Sequence, residues 1–172
     1  MTEHRRLSLL TAVSAAGAFF QLAVSFELAL VFSEAWLGLA TVFMLGHVGF
    51  GSGAWLAHRR RISREAAAPA RPMAAAAGLT LVSLACLLRL SPSHLPLTTL
   101  LPAALAVIGA LGAFGWCFGE ILIAAPRLGA ASAAAALGYG AGLAAAAVAV
   151  PALGANAALL SLAGVLAASR AG

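Results

Sequence analysis

Charged side chains are scarce in this chain. Only 9% of its 172 residues are charged, and lysine and aspartate are absent altogether. Ordinary globular domains carry about 25% charged residues. The composition is instead 63% hydrophobic, with a mean hydropathy of +1.02. These values exclude an ordinary soluble domain and predict an all-α integral membrane protein with a single transmembrane domain over residues 1–172 and very little soluble mass.

Catalytic and metal-binding signatures are missing as well. Cys86 and Cys117 both fall in apolar segments, without CxxC or metal-ligand spacing. The chain has no Gly-rich phosphate loop, no HExxH and no GxSxG, and the lack of aspartate excludes an aspartate pair. We therefore expect no enzyme activity of the chain alone, no metal and no cofactor.

Long apolar runs are what the chain has in abundance. Residues 128–169 contain no charged side chain, and Pro151 and Gly154 mark a turn in the middle of this run. A membrane span needs about 20 apolar residues, so the run can cross a bilayer twice. We read the N-terminal span as a retained signal anchor. The whole chain predicts six transmembrane helices, near 7–31, 35–57, 73–91, 98–124, 129–150 and 153–169.

Arginine supplies an orientation for these spans. With both termini cytoplasmic, nine of the ten arginines lie on the inside and only Arg89 lies toward the outside. This topology accounts for the net charge of +5 without a nucleic-acid partner. The loop over 58–72 is the longest polar connection, and we expect it to dock a partner or contact anionic lipid. The basic residues expected to do so are Arg59, Arg60, Arg61 and Arg64.

Polar residues inside the spans are the candidate binding residues, because each is costly at membrane depth. Glu27 and Arg89 lie at comparable depth and either pair or face outer-leaflet water. Glu120 either clamps Arg127 or the Arg59–Arg61 cluster, or binds a proton or cation.

His47 lies near the middle of the second span and is the fourth candidate. A hydrogen bond to a neighbouring helix is the expected role, and a proton relay or haem ligand is the alternative. The other histidines all lie at loops or span ends, which argues against a bis-histidine haem. Gln21, in the first span, is expected to hydrogen-bond across helices.

Glycines recur along three of the predicted spans. Such stripes let helix backbones approach closely, and we expect tight packing inside the bundle rather than a dimer face. The two halves of the chain show no residue-level match, so the sequence does not indicate an internal repeat. The stripes consist of Gly46, Gly49 and Gly53, of Gly112, Gly115 and Gly119, and of Gly138 and Gly142.

Two segments resemble the membrane domain of bacterial spermidine-synthase-like proteins of the transporter-fused type. The first runs from Phe43 through the closely spaced glycines and Ser52 to Ala57-His58-Arg59. The second comprises Arg127-Leu-Gly129, the glycine helix with Gly138 and Gly142, and the Pro151-Ala-Leu-Gly154 turn. The resemblance covers about a third of the chain, and the aminopropyltransferase domain is missing. It implies a multi-pass protein of the bacterial inner membrane and assigns no catalytic residue.

Two functions are compatible with these features. The first is a non-catalytic membrane subunit that anchors or stabilises a larger assembly, and it predicts a protein partner. The alternative is a small transporter or half-transporter for a cationic, polyamine-like or proton-coupled substrate, which predicts a homo-oligomer. An intramembrane enzyme that uses His47 and a glutamate has no support in the residue spacing.

Overall fold

The computed structural model describes residues 2–32, 35–62, 97–123 and 127–168. The predicted third span (73–91), Arg64 and Arg89 lie outside these ranges. The described part of the chain is an all-α bundle, in which five of the six predicted spans fall on helices. These are α1 (Glu3–Phe32), α2 (Ala35–Ile62), α3 (Leu97–Ile123), α4 (Leu128–Leu153) and α5 (Ala155–Ala168).

Among the described residues, four helices are long and apolar enough to cross a membrane. The segments that meet both conditions are Glu3–Ala29, Leu39–Arg59, Ala104–Ile123 and Leu128–Leu153. Helix α5 has 14 residues and is therefore about 21 Å long, which is shorter than a hydrocarbon core of about 30 Å. The structure thus supports a helical protein with four candidate spans.

Two helix ends differ from the prediction. Helix α2 continues to Ile62, so the first part of the expected 58–72 loop is helical, and Arg59 stacks on the Trp55 ring at 5.1 Å. Arginine is a good helix former, and this stacking holds its charge at the helix end. Helix α4 includes Pro151 and ends at Gly154, whose φ is 78°. The Gly154 N–H donates to the Val150 carbonyl at 2.8 Å and closes the helix.

Helix α1 lies at the centre of the bundle. It contacts each of the other four described helices, and its Phe20, Val24 and Leu28 belong to the main buried cluster. The outward faces are apolar too, because Met44, Leu137 and Val148 are among the most exposed side chains. Exposed apolar faces of this extent suit contact with lipid chains rather than with water.

The glycine stripes lie inside the bundle, which confirms that part of the prediction. Gly49 faces the backbone of Ile108 and Gly53 faces that of Gly112, so α2 and α3 pack closely along a glycine seam. The same contact joins α4 to α1, where Gly138 and Gly142 face the Thr11 and Ala15 backbones. Only glycine allows these approaches, since a Cβ would overlap the neighbouring carbonyl.

These seams fix the helix directions. Residue numbers increase together along both members of each seam, so α2 runs parallel to α3 and α1 runs parallel to α4. Helix α2 follows α1 after two residues and packs along it, so these two helices are antiparallel. It follows that Ile62, at the end of α2, and Leu97, at the start of α3, lie at opposite ends of the bundle.

Candidate functional site

A cavity of about 600 Å³ opens among α1, α2, α3 and α4. The residues that line it come from the middle of each helix, and therefore from the middle of each candidate span. Ligand pockets in proteins commonly measure about 300–1,000 Å³. Its polar lining residues are Ser14, Gln21, His47 and Tyr139, and its aromatic ones include Phe43, Phe50 and Phe118.

Gln21 is the most connected polar residue of the cavity. Its side chain is buried, and its Oε1 accepts a hydrogen bond from the Tyr139 hydroxyl at 3.3 Å. An ideal Cβ at position 46 would lie 2.7 Å from the Gln21 amide nitrogen, so Gly46 leaves the space that the carboxamide occupies. Gln21 therefore ties α1 to α4 and touches α2, as expected for a hydrogen-bonding residue in mid-span.

Ser14 carries a buried hydroxyl that bonds to no residue in the described ranges. Thr11 and Ser25, in the same helix, both donate to the carbonyl four residues earlier, at 3.0 Å and 2.7 Å. A buried hydroxyl without a partner costs about 1–3 kcal/mol. Ser14 therefore marks a place where a bound molecule could add a hydrogen bond.

His47 lies at the exposed side of the cavity. Its Nδ1 is 2.7 Å from the Phe43 carbonyl oxygen. A carbonyl only accepts, so Nδ1 carries the hydrogen in this bond. The bond that the structure shows is to the preceding turn of α2 itself, not to a neighbouring helix.

The other predicted site residues do not line the cavity. Glu27 and Glu120 are absent from its described lining. Arg127, one expected partner of Glu120, has its guanidinium 4.0 Å from the Glu3 carboxylate instead. Arg59 lies against Trp55. The side chains of Arg60 and Arg61, like Arg64 and Arg89, fall outside the described part of the structure.

Sequence reasoning missed Ser14 and Tyr139. Tyr139 is the chain's single tyrosine and stands between two glycines in a charge-free run, a signal that could have identified it. Ser14 gave no such signal, since a serine within an apolar helix ordinarily bonds to its own backbone. Within the described residues, no group of three His, Cys, Asp or Glu side chains could hold a metal ion.

The two glycine seams show the same contact pattern. Gly49 and Gly53 meet Ile108 and Gly112 just as Gly138 and Gly142 meet Thr11 and Ala15. Helix α1 thus corresponds to α3, and α2 corresponds to α4, with a constant register along each pair. Because α1 is antiparallel to α2 and hence to α3, the two halves are inverted relative to each other.

The cavity follows the same correspondence. The same difference in residue number that relates α1 to α3 pairs Gly17 with Phe114. These two residues lie against each other, as expected for equivalent residues near a two-fold axis. The lining residues then form five equivalent pairs. These are Ser14 with Leu111, Gln21 with Phe118, Gly46 with Ala135, His47 with Ala136, and Phe50 with Tyr139.

One contact breaks this symmetry. Helices α1 and α2 pack extensively, whereas the equivalent helices α3 and α4 do not. The two halves therefore hold different arrangements of equivalent helices around one cavity. Comparison of the chain with protein-family models, with curated proteins and with solved structures found no match. The resemblance to spermidine-synthase-like membrane domains accordingly remains a prediction.

Proposed function

We propose that this protein is a small membrane transporter, or half of one, that binds its substrate in the cavity among α1–α4. The cavity itself carries the proposal, since it lies at mid-span between two halves of inverted orientation. Many transporters place the substrate site near the bilayer midplane, at the interface of inverted repeats. The polar groups of Gln21 and Tyr139, which are costly at this depth, line the cavity and add support.

Six spans with both termini in the cytoplasm are the topology that we propose. Support comes from Ile62 and Leu97, which lie at opposite ends of the bundle. The predicted span at 73–91 would connect these two ends with one crossing. The predicted span at 153–169, which contains α5, would be the sixth, and the arginine distribution favours this orientation. The bacterial inner membrane is the location that the family resemblance implies.

The difference between the two halves suggests how transport would proceed. In this structure α1 packs against α2, whereas α3 and α4 do not pack extensively. If α3 packed against α4 while α1 and α2 separated, the bundle would reach the equivalent arrangement with the cavity facing the opposite side of the membrane. Inverted halves provide a second arrangement of this kind, because each half can take the conformation of the other. Exchange between the states would give the cavity alternating access to the two sides.

Distance measurements between spin labels test this exchange. Ser8 and Leu56 are exposed positions on α1 and α2, and Leu105 and Ala145 are their equivalents on α3 and α4. In a variant with Cys86→Ala and Cys117→Ala, we expect two distance populations for each labelled pair. Conditions that lengthen the Ser8–Leu56 distance should shorten the Leu105–Ala145 distance. Single, unchanging distances for both pairs would contradict the proposal.

Purification from native membranes tests the alternative that the chain is a non-catalytic subunit. A transporter is expected to co-purify only with copies of itself and lipid. A stoichiometric second polypeptide, together with fixed label distances, would favour the subunit function and leave the cavity without a transport role.

A further inference from the structure

We infer that the cavity binds an uncharged aromatic molecule with a hydrogen-bonding group at one end, such as a phenol or an aryl amide. This inference rests on the proposed function in using the same cavity, and it adds the chemical class of the substrate. The hydrogen-bonding end would meet Ser14, Gln21, His47 and Tyr139, and the ring would pack against Phe43, Phe50 and Phe118.

The polar residues are placed unevenly between the two halves. Each polar lining residue corresponds to an apolar one in the other half: Ser14 to Leu111, Gln21 to Phe118, His47 to Ala136, and Tyr139 to Phe50. A symmetric cavity would accept a ligand in two opposite orientations. This lining favours one orientation, because no polar lining residue has a polar residue at its equivalent position.

Three observations place these groups together. Ser14 and Gln21 are two turns apart on one face of α1. The Tyr139 hydroxyl donates to Gln21 at 3.3 Å. Gly46, the neighbour of His47, packs against the Gln21 amide.

These groups still have hydrogen-bonding capacity for a ligand. The Gln21 amide nitrogen donates to no residue in the described ranges, and Ser14 Oγ has no partner there either. His47 Nδ1 donates to the Phe43 carbonyl, so Nε2 is the ring nitrogen that a ligand would meet. A buried hydroxyl left unpaired, as at Ser14, favours a ligand that pairs with it.

The ligand's lack of charge follows from the lining. The described residues around the cavity include no arginine, lysine, aspartate or glutamate. A charged ligand would lose its hydration at mid-membrane without gaining a counter-charge. A polyamine, which the resemblance implies, would therefore find no carboxylate in this cavity.

Aromatic rings complete the lining. The Phe50 and Phe118 rings pack with centroids 5.2 Å apart and a 57° tilt, so together they offer both a face and an edge to a third ring. The competing occupant is an organic cation held by cation–π contacts, and the experiment must separate the two.

Competitive photolabelling of the full chain in lipid nanodiscs tests the inference. The probe is a phenol that bears a trifluoromethyl-diazirine, and its matched cation is the trimethylanilinium with the same diazirine. We expect the phenol to label the α1 and α4 peptides that contain residues 14–21 and 135–139. Excess 2-naphthol should abolish this labelling, whereas labelling of lipid-facing residues outside these stretches, such as Val148, should persist.

Variants that restore the symmetry of the lining sharpen the test. Tyr139→Phe and His47→Ala each install the residue type found at the equivalent position, so both should fold. Each should weaken competition by 2-naphthol about fivefold, the loss of roughly one hydrogen bond. The control Leu137→Ala, on the exposed side of α4, should leave competition unchanged.

The outcomes separate this inference from the proposed function. Stronger competition by the cationic analogue, or equal competition in Tyr139→Phe and the parent chain, would overturn the inference. Specific binding of the phenol with fixed spin-label distances would support the inference and overturn the transport proposal. Exchange between the two spin-label states without phenol binding would support transport and overturn the ligand class.

Discussion

The hydroxyl of Tyr139 donates to Oε1 of Gln21 at 3.3 Å, joining the chain's single tyrosine to its single glutamine. The two residues lie on parallel helices, and both line the cavity at mid-span. Interhelical hydrogen bonds in lipid average about 0.6 kcal/mol. A contact this weak contributes little to folding, so its position by the cavity points to ligand binding as its main use.

Tyr139→Phe should therefore lower the free energy of unfolding by less than about 1 kcal/mol. The ring stays in place, and only the hydroxyl is lost. Steric-trap unfolding in bicelles would measure the change, with Leu137→Ala as the control for a nearby α4 position. A loss above about 3 kcal/mol would mean that the hydroxyl supports the fold itself, contrary to this assignment.

The glycine seams should be sensitive to a single methyl group. An ideal Cβ at Gly53 or Gly142 would overlap the backbone of Gly112 or Ala15. Backbone cannot move aside as a side chain can, so Gly53→Ala and Gly142→Ala should each cost about 1–3 kcal/mol. The same unfolding assay measures both variants.

Gly140→Ala is the matched control, because a Cβ there meets nothing within 4 Å. It should be neutral or stabilise the protein by about 0.4–1 kcal/mol, since alanine restricts the unfolded chain more than glycine does. Equal destabilisation by Gly140→Ala and Gly142→Ala would show that the seam does not set the helix spacing.

Gly46→Ala should behave differently from the seam variants. Its Cβ would lie 2.7 Å from the Gln21 amide nitrogen and 3.2 Å from Leu111 Cδ1, both at the ends of flexible side chains. These groups can shift, so the protein should fold while Gln21 moves away from Tyr139. We expect phenol competition to weaken about fivefold, as for Tyr139→Phe. Unchanged competition would show that the position of Gln21 is irrelevant to binding.

Thr11 provides a test of the α1–α4 contact outside the cavity. Its hydroxyl contacts the Leu7 carbonyl and, at 3.2 Å, the Ala134 carbonyl of α4. Thr11→Val keeps the shape and should cost about 0.6–1 kcal/mol in the unfolding assay. Ser8→Ala is the control, because its exposed hydroxyl bonds only within α1, to the His4 carbonyl. A larger effect at Ser8 would contradict the proposed role of Thr11.

Hydropathy and small-residue spacing predicted much of the bundle. Runs of apolar residues identified all of the described helices, and the stripe with Gly49 and Gly53 correctly indicated an internal packing face. The ends were harder to predict, because helix α2 continues through its arginines and α4 through Pro151. Neither residue type stops a helix reliably when the terminal turn can form a cap or a stacking contact.

The cavity could not be predicted, for a physical reason. Their charge within apolar spans indicated Glu27 and Glu120 as site residues. The cavity is lined instead by polar side chains that lie far apart in the sequence, from Ser14 to Tyr139. The equivalence of the two halves was also hidden. It depends on close contact between helix backbones at small residues. The paired lining residues, such as Gln21 and Phe118, are chemically unlike, so the sequence shows no match between them.

The proposed topology predicts opposite labelling at the two ends of the bundle. His58, near the end of α2, and Leu153, at the end of α4, lie at opposite ends, because α4 runs parallel to α1 and antiparallel to α2. In the variant without Cys86 and Cys117, an impermeant maleimide on intact spheroplasts should label Leu153→Cys. It should label His58→Cys only after permeabilisation. The reverse pattern would invert the arginine-based orientation, and labelling of both from one side would exclude a membrane-spanning bundle.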